Sequence, residues 1–368
     1  MKTLRHYLLR EIVLSVVFAT LGFLALLLFF DLTDELRWVG RSGGRYTLSH
    51  ALLFVALGVP QHVYELLPIT VLIGTIFVMA RLAQNSEFTI MRTSGLGPGR
   101  ALGSVLLLGA LFTLLTFAIG DYLAPATERA AQLLRARQSG QLSIGLTGAW
   151  LKEQQGTQAF AVNVRGVDPD AQLRGVRLFE FDAQGRVAAT VHAQQGRFED
   201  DGQGWLLQQV QRNVFTHSDD DNAQVERLTE TEWRWPTQIT PDMVAAALLK
   251  PDKMATLDLL RYVQHLQANG QSAQRHEIEL WRKIFYPLSC LVMVVLALPF
   301  AYLHFRSGGI AGAVFGGVMA GISFFLLNNV FGFAGNLQHW SPWLTAAAPG
   351  IIYSLASLAA FGWLVLRR

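Results

Sequence analysis

The sequence predicts an α-helical membrane protein with six transmembrane helices, three before and three after an antiparallel β domain of the sandwich or jelly-roll kind. Three observations carry that expectation. Apolar residues make up 51% of the 368-residue chain and charged residues only 15%, well below the roughly 25% of soluble domains. The apolar residues gather toward the two ends, in runs long enough to cross a bilayer. Between those ends, from about residue 143 to residue 235, the texture changes to short strands separated by turn residues.

In chain order, residues 1–11 form a basic leader with Lys2, Arg5 and Arg10, and residues 12–30 carry no charge and make the first span. That run is too long for the core of a signal peptide, and no small-residue cleavage site closes it. Asp31, Asp34 and Glu35 end it, and a Gly-rich loop with Arg37, Arg41 and Arg45 follows. The second span is interrupted by Pro60, His62, Glu65 and Pro68, so it reads as one long or kinked helix whose upper part stands above the hydrocarbon. The third span, 101–119, is followed by a helical continuation that Pro125 can start and Gly140 can stop, carrying Arg129, Arg135 and Arg137.

The middle of the chain offers strands at 159–164, 176–182, 187–193, 205–210 and 225–235, with turns expected at Gly166, 168–169, Gly185, Gly196, Gly202 and 218–222. Within these strands Phe160, Val162 and Val164 share a face, as do Val176 with Leu178, and Val187, Ala189 and Val191. Such faces fill a core or line an apolar trough. An amphipathic helix at 257–267, after Pro251 and closed by Gly270, returns the chain to three more spans at 284–303, 310–333 and 344–366. The expected domains are therefore 1–140, 141–250, a helical connection at 251–283, and 284–368.

Orientation follows from arginine and lysine placement. One set of short segments holds Lys2, Arg5, Arg10, Arg81, Arg92, Arg100, Arg306, Arg367 and Arg368, whereas the opposite short loops hold only Arg37, Arg41 and Arg45. The richer side is the cytoplasmic one. Both termini then lie inside, and the β domain outside, in a periplasm or its equivalent.

The loop between spans two and three, RLAQNSEFTIMRTSGLGPGRA at 81–101, is short, polar and mildly amphipathic. Ser86 suits a helix cap and Glu87 the positive end of the dipole, and the Gly/Pro cluster at 95–99 stops the helix. It reads either as a short helix that receives force from a soluble motor or as a plain surface loop.

Several chemistries are excluded. The GLGPG at 95–99 lacks the following lysine and preceding strand of a phosphate-binding loop. HEIEL at 276–280 places Leu280 where a zinc protease needs its second histidine, and GRSGG at 40–44 sits in a short loop rather than on a strand-to-helix elbow. The run Asp219, Asp220, Asp221 lacks the glycine and closing glutamate of a calcium loop. The one cysteine, Cys290, lies in an apolar run, so no intramolecular disulfide forms. A net charge of +3, without a basic aromatic surface, gives no footprint for nucleic acid. No metal or cofactor site is expected in this chain. Arg37, Arg41 and Arg135 fall on the outer rim, where cations hold anionic head groups or snorkel at the interface. In the fifth span, Gly312/Gly316 and Gly317/Gly321 have the four-residue spacing of closely packed helices, and Asn328 and Asn329 are polar glue.

With RHYLLRE at 5–11, LAQNSEFTIMRTSG in the inner loop and GDYLAP at 120–125, the chain resembles the lipopolysaccharide export permeases, the LptF/LptG (YjgP/YjgQ) family, over essentially its whole length. DELRWVG at 34–40 and the ending at Arg368 make it more similar to the LptG branch. The resemblance implies a non-catalytic permease subunit of an ABC transporter in the cell inner membrane, with a periplasmic β-jellyroll. It implies a paralogous partner permease LptF, a cytoplasmic LptB ATPase dimer that uses ATP and Mg, a single-span LptC, and lipopolysaccharide as substrate. Ser86, Glu87 and Arg92, on a coupling helix near 84–94, would meet the ATPase. Arg37, Arg41 and Arg135 would meet sugar phosphates. Asp31 stands where relatives carry a lysine, a contact that Arg41 or Arg45 would replace. Two other classes remain open at this point: another ABC permease, such as a lipoprotein extractor, and a non-transporting membrane scaffold.

Overall fold

The computed structural model of the chain describes residues 2–40, 46–95, 97–139, 148–167, 172–199, 204–217, 223–241, 243–244, 251–302 and 309–363. It divides into two compact units, one of Met1–Arg37, Val55–Glu128 and Glu277–Arg368, the other of Trp38–Phe54 and Arg129–His276.

The described helices are α1 (Lys2–Leu36), α2 (Leu48–Gln84), α3 (Glu87–Thr93), α4 (Pro98–Ala118), α5 (Ala124–Ser139), α6 (Thr256–Ala268), α7 (Gln274–Ala297), α8 (Gly309–Leu337) and α9 (Pro342–Phe361). Among the described residues six helical stretches are long and apolar enough to cross a membrane, and they fall where the apolar runs predicted. α2 is one uninterrupted helix with Pro60 and Pro68 inside it. α4 passes through a π turn at Ile119–Leu123 directly into α5, so the third span does continue as a helix; its expected stop at Gly140 lies outside the described residues.

The spans differ in how much of their surface the chain itself covers. The most apolar window of α2 is 72% buried and that of α7 56%, against 22% for α1 and for α8. α2 and α7 are therefore central, and α1 and α8 turn side chains such as Phe18 and Phe333 outward. An apolar surface of this extent is tolerated when its solvent is lipid. Close contacts come from small residues: a Cβ on Gly74 would stand 2.8 Å from Val16, and one on Gly109 2.6 Å from Val294. In the fifth span the two predicted pairs behave differently. Gly317 and Gly321 press α8 onto Ile76 and Ile69 of α2, whereas Gly312 and Gly316 meet nothing within 4 Å.

The described residues of the second unit form six strands: β1 (Ala149–Gln155), β2 (Gln158–Val167), β3 (Leu173–Phe181), β4 (Val187–Phe198), β5 (Gly204–His217) and β6 (Ala223–Pro236). They form one antiparallel sheet in the order β1-β2-β3-β4-β5-β6. Short connections between consecutive strands favour pairing with the next strand in sequence, so the described connectivity is a meander, simpler than that of a full jelly roll. The predicted faces are observed: Phe160, Val162, Val164, Val176, Leu178, Ala189 and Val191 are all buried, Val187 is half-buried, and Arg177 faces outward.

Two expected turns are corrected. Gly166 lies inside β2 opposite Arg174, and Gly196 lies inside β4 between Leu173 and Leu207. A Cβ at Gly196 would stand 2.8 Å from Leu207; this glycine marks close packing in a strand rather than a bend. Gly185 does make its turn, at φ +77°. There the Asp182 carboxylate accepts from the backbone amides of Arg186 and Gln184 at 2.8 and 3.0 Å. The Arg186 amide, more than any other group, holds that carboxyl below its ordinary range. The expected turns at 168–169, Gly202 and 218–222 lie outside the described residues.

Inside the sheet's core Trp205 and Trp235 face one another across β5 and β6, both almost fully buried. Trp205 Nε1 donates to the Ile239 carbonyl at 2.7 Å. Glu153 of β1 is also buried, accepting from the Thr237 hydroxyl and, at 2.7 Å, from the Gln238 amide. α6 is joined to β1 through Asn269, whose Oδ1 accepts from the Gln154 amide at 2.9 Å.

A candidate docking helix and the polar groups of the spans

α3 is built by alternation of burial over two helical turns. Phe88 and Met91, three residues apart and so on one face, are buried in the core of the spanning bundle, while Thr89, Ile90, Arg92 and Thr93 are exposed. Phe88 packs edge-on against Tyr302 with ring centroids 5.1 Å apart, and the Arg92 guanidinium lies over the same ring, 5.0 Å from its centroid. One aromatic ring thus receives two contacts from this short helix. Burying Phe88 contributes about 3 kcal/mol at most, and the cation–π contact adds about 0.5–1 kcal/mol at a site this exposed.

Ser86 is at the expected N-cap but does not cap by its side chain. Its φ of 61° puts it in the left-handed region, and no side-chain hydrogen bond to the helix forms. The conformation lets the chain leave α2 and re-enter a helix almost at once, so the backbone turn replaces the hydroxyl bond. Glu87 is in the first turn, as the dipole argument required. Its two oxygens accept from the Tyr7 hydroxyl and the Asn85 amide, both at 3.2 Å. Close by in sequence, Arg81 pairs with Glu11 at 2.5 Å, and Arg100 donates to the Gly95 carbonyl at 3.1 Å. The result is a helix held firmly on its inner side. It offers an apolar centre, Ile90 at 63% exposure, rimmed by threonines and one arginine. Its outward face is thus a small apolar patch with a polar rim, standing on an anchored inner face.

Of the predicted outer arginines, Arg37 follows α1 and pairs loosely with Asp34 at 3.6 Å, with both side chains more than two-thirds exposed. An exposed pair of this kind is worth less than about 1 kcal/mol, so the guanidinium is available to a better anion. Arg41 and Arg45 lie outside the described residues. Arg135 lies on α5, and its side chain is likewise outside what is described. Arg37 and Arg135 fall in different units.

Sequence reasoning missed a set of polar contacts among the spans. Asp31 Oδ2 and His62 Nε2 are 2.5 Å apart, clasping α1 to α2. Gln61 donates to Glu65 at 2.7 Å, and the Tyr286 hydroxyl donates to the Glu65 carbonyl at 2.6 Å. Lys283, buried, donates to the Gly120 carbonyl at 3.1 Å, and Arg282 bridges Glu279 at 2.7 Å and Asn329 at 3.3 Å. The last contact is the polar glue expected of Asn329. The signal was in the sequence, since Asp31, His62 and Glu65 interrupt apolar runs; what it lacked was the pairing. Among the described residues no group of three or more His, Cys, Asp or Glu side chains converges to hold a metal. Cys290 is buried beside Thr116 and has no partner cysteine.

Comparison with known proteins places these features in context. The family described as lipopolysaccharide export system permease LptF/LptG matches residues 6–366. The lipopolysaccharide export system permease protein LptG of Escherichia coli strain K12 is 30% identical over 91% of this chain and 90% of its own length. The protein of the same name from Haemophilus influenzae is 30% identical over 100% of this chain and 99% of its own length.

Proposed function

This chain belongs to the lipopolysaccharide export system permease LptF/LptG family, and we propose that within it the chain is the membrane-spanning subunit of an ABC transporter. In this reading it draws lipopolysaccharide from the inner membrane and passes it to a periplasmic bridge toward the outer membrane. The observation that carries the proposal is the match of family and relatives across nearly the whole chain, spans and sheet together. The chain itself is non-catalytic. A separate cytoplasmic ATPase dimer, LptB, hydrolyses ATP with Mg, and LptF and LptC complete the assembly.

The coupling step is assigned to α3. The ATPase seats around Ile90, with Ser86, Glu87 and Arg92 at the rim. Motion of the ATPase then moves Phe88 and Met91, and with them the bundle. Support comes from the burial of those two side chains and from the ring of Tyr302 that holds Phe88 and Arg92. Arg37 is assigned to the sugar phosphates of the substrate, its exposure and its weak Asp34 partner leaving it free to exchange. Arg41 and Arg135 have the same role in this proposal. Both termini are assigned to the cytoplasm and the sheet to the periplasm, a reading that the bias of arginine and lysine supports.

The test is co-expression of the chain with the ATPase and the partner permease, followed by mass spectrometry of the purified complex and its lipid. Lipopolysaccharide retained with an ATPase is the expected result. Retention of a different lipid or a lipoprotein would move the chain to another export class, and absence of any ATPase would leave a scaffold.

A further inference from the structure

On the outward face of the β sheet lies an open cleft of about 210 Å³, lined by Arg165, Arg177, His192, Gln194, Gln209 and Gln211 around the backbone of Gly175. The register explains why these residues meet. Asn163, Arg177, His192 and Gln211 follow one another across β2 to β5 as a paired row. By the same registers Arg165, Gly175, Gln194 and Gln209 lie opposite one another two residues along, and so on the same face. Gly175 leaves that second row without a side chain at its centre. A Cβ there would stand 3.1 Å from Arg165, so the missing side chain is the floor of the cleft.

Three further features suit a ligand. Gly175 and Gln209 have φ of +62° and +54°. For glutamine that conformation costs about 1 kcal/mol or more, and strain of this kind is stored at ligand clamps. Among the described residues neither Arg165 nor Arg177 pairs with a carboxylate, whereas Arg212 on β5 pairs with Glu180 at 3.1 Å. Beside the cleft, Trp150 stacks on Phe179 with centroids 6.0 Å apart and is half exposed. Trp150 is opposite Asn163 and Asn163 opposite Arg177, which puts the Trp150 backbone two strands, about 10 Å, from that of Arg177, while Phe179 lies two residues along β3 from Arg177.

We propose that this cleft binds a phosphorylated sugar. Arg165 and Arg177 hold the phosphate through charge-assisted forks, and the glutamine amides, each both donor and acceptor, meet ring hydroxyls. The volume, smaller than the roughly 300 Å³ of the least drug-sized pocket, takes one sugar phosphate, and the open side leaves room for whatever that sugar is attached to. Under the permease reading above, the source is a lipid head group; a free sugar phosphate offers the same chemistry.

The test is calorimetric titration of the full chain in detergent with glucose 6-phosphate, inorganic phosphate and glucose. Saturable binding of glucose 6-phosphate is expected, with inorganic phosphate weaker by about tenfold and glucose weaker still. Arg165→Gln and Arg177→Gln should each weaken glucose 6-phosphate by about tenfold or more without moving the melting temperature. Gly175→Ala should do so by filling the floor. No saturable binding, equal binding of inorganic phosphate, or unchanged affinity in the double arginine variant would overturn the proposal. Displacement of bound glucose 6-phosphate by lipopolysaccharide, but not by phospholipid vesicles, assigns the lipid head group; no displacement assigns the free sugar phosphate, and the cleft stands in both cases. None of these readouts requires transport, so a failure of the permease reading would leave them unchanged.

Discussion

Ile90 and Phe88 sit two residues apart on the same short helix, one facing out and the other in, and this separates docking from anchoring. Ile90 is 63% exposed. Burying an isoleucine fully is worth about 1.5–3 kcal/mol, so covering the exposed part against an ATPase contributes roughly 1–2 kcal/mol. Ile90→Ala should therefore weaken ATPase association by about 5- to 30-fold while leaving the melting temperature of the isolated chain in place. Phe88→Ala removes a side chain that is 1% exposed and whose loss costs about 3–5 kcal/mol. It should lower the melting temperature as well as coupling, because α3 loses its hold on Tyr302. The assay pairs ATPase affinity by surface plasmon resonance with thermal melting in detergent. An Ile90→Ala chain that binds the ATPase normally and stimulates hydrolysis normally would refute the assignment of α3 as the docking helix.

Other outcomes follow from residues already placed. Replacing Arg37 with glutamate should reduce photo-crosslinking of lipopolysaccharide to the chain, with lysine milder because it keeps charge without the fork; equal crosslinking in all three would mean that Arg37 only sits at the interface. Gly321→Leu should destabilise the chain by about 1–3 kcal/mol, since its Cβ would stand 2.8 Å from Ile69, while Gly312→Leu, with nothing within 4 Å, should stay within about 0.5 kcal/mol; similar melting of the two variants would contradict the packing. Burial pushes the His265 imidazole below its ordinary value, against an opposing pull from Glu153. With the folded pKa the lower one, the unfolded chain takes up its proton first, so stability should fall as pH drops through about 6.5. His265→Gln should flatten the melting temperature over that window, and an unchanged slope would show that another group sets it.

Much of the fold was legible because the two periods in the sequence rarely conflict. Each apolar run became a span, and five strands lie where alternation put them. β1 was missed because its alternation is inverted in chemistry: Glu153 is buried with Thr237 and Gln238 as partners, while Trp150 faces out. Gly166 and Gly196 were misread because a glycine that admits a neighbouring side chain looks, in sequence, like one that bends the chain. The site was less legible. Glu87 and Arg92 could be placed on a helix, but the left-handed turn at Ser86 and the shared ring of Tyr302, more than two hundred residues away in the chain, depend on tertiary contact. The cleft around Gly175 was invisible for the same reason. Its arginines and glutamines are ordinary outward positions of separate strands until the register lines them up.

The sequential order of the sheet bears on how the chain comes into being. Each described strand after β1 pairs with the one made immediately before it, so none of these strands must wait for a distant partner, and the closure entropy of each step is that of a short hairpin. α1, α2 and α4 precede β1 in the chain, so the membrane is entered before the first hairpin exists. A ribosome-bound fragment ending after β4 should already protect the amides of β2 and β3 from exchange, whereas a fold that needed β6 first would leave them open. A sheet assembled in this order presents two edges at every stage of synthesis, the fixed one at β1 and the growing one, so the growing edge offers a single unpaired strand at a time to aggregation.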